Sequence, residues 1–85
     1  MGAEWGGKRA LITGGLGFIG SNLAIRLVEL GARVRVVDSL IPSLGGNRFN
    51  LAPVLDQVEL VIADLRDRAR LEEAVRDQDL IFNLA

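Results

Sequence analysis

Apolar positions along the chain recur with two different periods, and the switches between them mark the elements. A short run, Ala10-Leu11-Ile12, is apolar without alternation and predicts a first strand from Arg9 to Thr13 with both faces covered. From there to Leu30 the period becomes helical: Ile19, Leu23, Leu27 and Leu30 form one stripe, widened by Ala24 and Val28, and Asn22, Arg26 and Glu29 fall opposite. Gly31 stands where a left-handed cap is wanted. Arg33 to Asp38 is rich in β-branched residues and predicts a second strand, whose alternating arginines imply one partly covered face. Ser39 to Asn47, with Pro42, Gly45 and Gly46, reads as a loop, and Asn47 to Leu55 as a short helix limited by Pro53. Val58 to Ala63 predicts a third strand. Asp67 is placed to cap a helix from Arg68 to Arg76, with Leu71, Ala74 and Val75 inward and its charges in water. Asp79 to Leu84 predicts a fourth strand. Residues 1–7 read as a flexible, glycine-rich leader, with Trp5 covering the rim of the core, and residues 8–85 as one unit.

The order β-α-β-α-β-α-β, without internal repeat or linker, implies an α/β fold: a parallel sheet joined by right-handed crossovers with helices on both faces. Between the first strand and its helix lies Thr13-Gly14-Gly15-Leu16-Gly17-Phe18-Ile19-Gly20. Gly14, Gly17 and Gly20 at a strand-to-helix junction fit either a plain turn or a phosphate-binding turn, in which backbone N–H groups at the helix N-terminus face an anion. In the second reading Gly14 permits the tight turn, Gly17 close approach, and Gly20 helix packing. Asp38 favours the second. It ends the second strand, where a carboxylate can bond the adenine ribose hydroxyls and repel a 2′-phosphate; Ser39 to Asn47 holds no Lys or Arg to receive one. This favours NAD over NADP. The fold expected is then a partial Rossmann (doubly wound) arrangement of four parallel strands in the order 3-2-1-4. Asp64 ends the third strand and either accepts from the adenine amino group, with Leu65 over the ring, or serves as a cap. Asn83 to Ala85 would line the crevice between strands one and four, the switch point of such a sheet.

Composition narrows the classes further. The 85 residues are 49% apolar with a net charge of −1, the profile of a soluble globular unit and not of a nucleic-acid binder or a disordered segment. A chain of this size hides only about 60–65% of its unfolded surface, so its stability margin should be thin. With no cysteine and no histidine, disulfides, thiolate metal sites and the usual general base are excluded. No apolar run approaches the roughly 18–20 residues of a membrane span, and no signal-peptide pattern is present, so a cytoplasmic location is expected.

Four segments, Thr13 to Gly20, Val37-Asp38-Ser39-Leu40, Ala63-Asp64-Leu65-Arg66-Asp67 and Phe82-Asn83-Leu84-Ala85, resemble the extended short-chain dehydrogenase/reductases, and more narrowly their NAD-dependent nucleotide-sugar epimerases and dehydratases. The resemblance runs from about Lys8 onward. It implies adenosine-diphosphate contacts from Gly14, Gly17, Phe18, Ile19 and Gly20. It also implies ribose contacts from Asp38 and Ser39, adenine contacts from Asp64 and Leu65, and contacts from Leu84 and Ala85 beside the rest of the cofactor. That family is several times longer and carries a Tyr-x-x-x-Lys pair that moves the substrate proton. Here there is no tyrosine, and the single lysine is Lys8. The chain therefore looks like the N-terminal half of such an enzyme, binding NAD, ADP or AMP without turnover and holding no catalytic residue. The edge of the fourth strand would invite pairing, as a homodimer or with a complementing C-terminal half. Two other readings remain: a stand-alone module for NAD or an adenine nucleotide, and a self-associating fragment without ligand.

Overall fold

The computed structural model describes residues 5–39 and 48–84. Its elements are β1 (Arg9–Thr13), α1 (Phe18–Glu29), β2 (Arg33–Asp38), a 3₁₀ helix (Arg48–Gln57), β3 (Val58–Ile62), α2 (Arg68–Val75) and β4 (Leu80–Asn83). The four strands form one parallel sheet in the order β3-β2-β1-β4, as the alternation of elements implied. Register aligns Thr13 with Val37 on one side and with Asn83 on the other, so the C-terminal ends of β1, β2 and β4 share one edge. Asp38 pairs with Ile62 beside them.

Strand side chains alternate between faces, and the two faces carry different cores. Ala10, Ile12, Val34 and Val36 pack under α1 and the 3₁₀ helix with Leu16, Ala24, Leu27, Leu51 and Val54. Leu11 and Val37 pack on the other face with Ala63 and Ala74, under α2. The arginines of β2 lie on this smaller side. Arg33 is exposed, while Arg35 pairs with Glu59 at 2.9 Å and donates to the Ala74 carbonyl at 2.8 Å, which satisfies an end of α2. The partly covered face expected from the alternation is thus this one.

Several boundaries moved. The inward stripe of α1 is Gly20, Ser21, Ala24 and Leu27, rotated by one residue from the expected line through Ile19, which is 73% exposed. The rotation follows from Gly20, the one position in that turn small enough to lie against the preceding loop. At the other end Gly31 has φ 91°, its N–H donates to Val28 O at 2.9 Å, and Ala32 N–H donates to Leu27 O at 3.0 Å. Those two bonds make a Schellman cap. The helix expected over Asn47 to Leu55 is a 3₁₀ helix that runs on to Gln57, with Pro53 inside it. Winding at three residues per turn stacks Leu51 over Val54, both buried, so packing outweighs the donor that proline removes. Asp67 caps α2 through Arg70 N–H at 3.3 Å. Trp5 packs half-buried on the α1 face, and Gly7 N–H donates to the Gly31 carbonyl at 3.1 Å. The rest of the expected leader (1–4) and most of the expected loop (40–47) lie outside the described residues.

Candidate functional site

The glycine turn joins β1 to α1 at the C-terminal edge of the sheet, and each of its glycines answers a separate demand. Gly14 has φ 78°, a region that side chains disfavour, and its N–H donates to Val37 O at 2.8 Å. A methyl group on Gly15 would stand 2.5 Å from Val36 Cγ1 on the neighbouring strand. One on Gly20 would overlap the Gly14 carbonyl oxygen and approach Gly15 Cα to 2.8 Å. Gly17 differs. A methyl there would meet only the Gly14 carbonyl oxygen at 3.5 Å, ordinary contact, and its φ of −75° suits any residue. The fold itself makes no demand for glycine at that position.

Gly17 is also the N-cap of α1, with no side-chain cap, and no acidic residue stands in the first turn. The dipole end of a twelve-residue helix is therefore not offset by any carboxylate of its own first turn. Phe18 and Ile19 follow with side chains 78% and 73% exposed. Asp38 is buried, and its Oδ2 accepts from Leu16 N–H at 3.0 Å. The same residue that ends β2 thus fixes the turn after β1. Leu16 is itself fully buried, and its carbonyl accepts from Asn50 Nδ2 at 2.8 Å. Ser39 is exposed next to Asp38.

At the end of β3 the choice open for Asp64 is settled in part. Asp67 caps α2; the Asp64 carboxylate instead accepts from Arg66 N–H at 2.8 Å, Nε at 3.1 Å and Nη2 at 2.8 Å. These side-chain bonds, and then the backbone bond, lower its pKa from 3.8 to about 2. Leu65 packs toward Leu11 and Val37 and lines an apolar concavity of about 470 Å³ with Thr13, Leu71, Val75, Ile81 and Asn83. At the crevice between β1 and β4, Thr13 Oγ1 donates to Asn83 Oδ1 at 2.6 Å and Leu84 N–H donates to Thr13 O at 3.0 Å. Leu84 is half exposed, and Ala85 lies outside the described residues. Among the described residues no cluster of acidic side chains could hold a metal, and no helix is long and apolar enough to cross a membrane.

The sheet edge thus brings together Gly14, Gly17, Phe18, Ile19, Gly20 and Asp38, with Asp64 and Leu84 at the ends of the outer strands. Residues 10–85 match the model of the NAD dependent epimerase/dehydratase family. The chain belongs to that family. Among similar members, a dTDP-glucose 4,6-dehydratase of Mycolicibacterium smegmatis is 39% identical over 80 residues, covering 91% of this chain and 23% of that protein. A dTDP-L-rhamnose 4-epimerase of Burkholderia thailandensis is 35% identical over 93% of this chain and 22% of its own length. The chain spans less than a quarter of the length of these family members. Its fold is that of solved structures from the same family. An epimerase of Methanothermobacter thermautotrophicus superposes with a TM-score of 0.85 at 34% identity, over 96% of this chain and 24% of its own. The dTDP-glucose 4,6-dehydratase DesIV of Streptomyces venezuelae, solved with NAD bound, gives 0.81 at 40% identity, over 91% and 26%. The partial Rossmann arrangement expected from the sequence is therefore the observed fold. Sequence reasoning placed Gly15 and Leu16 within the turn without giving either a role, and missed Asn50. Of these, only Gly15 carried a signal, the doubled glycine opposite a β-branched strand.

Proposed function

We propose that the chain is the cofactor-binding N-terminal portion of a nucleotide-sugar epimerase or dehydratase, and that it binds the adenosine-diphosphate part of NAD. The observation that carries this is the glycine accounting. Gly14, Gly15 and Gly20 are each required by the fold, whereas Gly17 is not, and it stands at an uncapped helix N-terminus. A glycine with no internal reason, at the point where the first N–H groups of a helix lack intrahelical partners, suits a pyrophosphate that must approach the backbone. Gly14, Gly17 and Gly20, with Phe18 and Ile19, form the diphosphate and adjacent contacts. Asp38 and Ser39 take the ribose and disfavour a 2′-phosphate. Asp64 and Leu65 lie toward the adenine, and Leu84 and Ala85 beside the remainder. The bonds of Asp64 to Arg66 leave its carboxylate ionised above about pH 2, which keeps it an acceptor for an amino group.

When bound, NAD supplies the hydride acceptor; the residues of this chain bind and orient it. They do not include a Tyr-x-x-x-Lys pair, since the 85 residues contain no tyrosine, and by itself the chain turns nothing over. Residues 8–85 act as the first half of a dinucleotide-binding domain in the cytoplasm. The β4 edge, with Ile81 53% exposed, pairs with a complementing half or with a second copy. Calorimetric titration with NAD, NADP and ADP tests the reading. NAD and ADP should bind at comparable millimolar-or-better strength and NADP more weakly; folded protein that gives no heat with ADP at millimolar concentration would rule it out.

A further inference from the structure

We infer that Asn50 is a positioning residue for the diphosphate turn, an inference that rests on the nucleotide reading above. Asn50 contributes nothing to the sheet and belongs to the 3₁₀ helix, far along the chain from the glycines. Its side-chain amide nevertheless donates to the Leu16 carbonyl at 2.8 Å. A carbonyl oxygen only accepts, so it is the NH₂ of Asn50 that must face it. The Leu16 carbonyl and the Gly17 N–H are two ends of one planar peptide group. Holding the first therefore fixes the direction of the second. Gly17 N–H points back to Gly14 O at 3.2 Å, and the Leu16 N–H on the preceding peptide is held by Asp38 Oδ2 at 3.0 Å.

The turn is thus gripped at successive peptides by side chains from two other elements, β2 and the 3₁₀ helix. The Leu16 side chain, fully buried between them, stops it from shifting as a unit. Asn50 itself is seated by its neighbour Leu51, fully buried, and by Val54 one turn later. Without the Asn50 donor, the Leu16 carbonyl must find another partner or turn toward solvent at the helix N-terminus. A carbonyl oxygen there would present partial negative charge where the site needs N–H groups. Asn50 accordingly acts on diphosphate binding through Leu16 and Gly17, while the ribose side is left to Asp38.

The test uses Asn50→Leu, which keeps the volume and removes the donor. Amide hydrogen exchange on the ligand-free chain should rise at least tenfold at Gly17 and stay unchanged at Ile12 and Val36. ADP should then bind about tenfold more weakly, and adenosine within twofold of wild type. Unchanged ADP affinity, or equal losses for ADP and adenosine, would overturn the positioning role. Should Asn50→Leu not fold, Asn50→Ala, which also lacks a donor, is read in the same way; if neither folds, Asn50 serves stability and the proposal falls. Wild type that binds no ADP would sink the nucleotide reading instead, and exchange at Gly17 alone then decides whether the grip on the turn is real.

Discussion

Gly17→Ala and Gly20→Ala are the same chemical change three residues apart, and their expected effects are opposite in kind. At Gly17 the added methyl group meets only one atom, at 3.5 Å, and the backbone conformation suits alanine. Alanine is a poorer N-cap than glycine by some tenths of a kcal/mol, but it restricts the unfolded chain by about 0.4–1 kcal/mol. Stability should therefore stay within about 0.5 kcal/mol of wild type. The methyl group does, however, fill the approach to the helix N-terminus, and ADP affinity should fall at least tenfold, about 1.4 kcal/mol. At Gly20 the methyl group overlaps backbone atoms of Gly14 and Gly15, which cannot swing aside as a side chain can. Overpacking of this sort costs about 1–3 kcal/mol. For a chain of this length, total stability is of order 4–13 kcal/mol, so the loss is plain in a urea titration. Urea unfolding and calorimetric ADP titration of both variants separate the two roles. A Gly17→Ala chain that binds ADP within twofold of wild type, or that loses as much stability as Gly20→Ala, would refute the reasoning.

Three further outcomes follow from bonds at the same edge. The folded pKa of Asp64 lies below its ordinary value, about 2 against 3.8, so its contribution to stability is present above pH 4 and disappears as pH falls toward 2. Carboxyl titration by NMR should place Asp64 near 2 in wild type and raise it in Arg66→Ala to a value still short of 3.8, because the backbone N–H at position 66 goes on donating, and an unmoved Asp64 in that variant would show that the Arg66 side chain is not the main cause. Asp38→Asn replaces a charged acceptor for Leu16 N–H with a neutral one, at a cost of about 1 kcal/mol, and should narrow the preference for NAD over NADP when both are titrated. Asp67→Ala removes the cap of α2 and should lower stability by about 1 kcal/mol in denaturant without changing ADP affinity, since α2 packs over the other core of the sheet from α1.

How far the sequence alone carries the fold depends on whether each decision is local. β1 and β2 could be read residue for residue, because apolar and β-branched runs bounded by glycine or charge leave little choice. The caps at Asp67 and Gly31 were readable for the same reason: both are satisfied within a few residues. The rotation of α1 was not. Periodicity gives a stripe through Ile19 as readily as one through Gly20, and the close approach of Gly20 to the Gly14 carbonyl decides between them. The extension of the Pro53 helix past Leu55 to Gln57 was unreadable because burial of Leu51 and Val54 against β-strand residues outweighs the local limit that proline sets. In the site, Gly14, Gly17, Gly20 and Asp38 announced themselves by spacing. Asn50 did not, since its bond to Leu16 joins residues 34 apart with no pattern between them. Arg66 lay beside Asp64 in plain view, yet the adjacency alone left open whether Asp64 capped a helix or met another partner, and the bonds to Arg66 at 2.8 Å decide it.

The most direct test of the nucleotide site is an ADP titration of ¹⁵N-labelled chain followed by amide chemical shifts. Saturable shifts should concentrate at Gly14 to Gly20, with a second group at Asp38 and Ser39, while amides at the opposite end of the sheet, such as Ala10 and Val34, stay in place. Saturation centred elsewhere, or shifts absent from Gly17, Phe18 and Ile19 in a folded chain, would contradict the account.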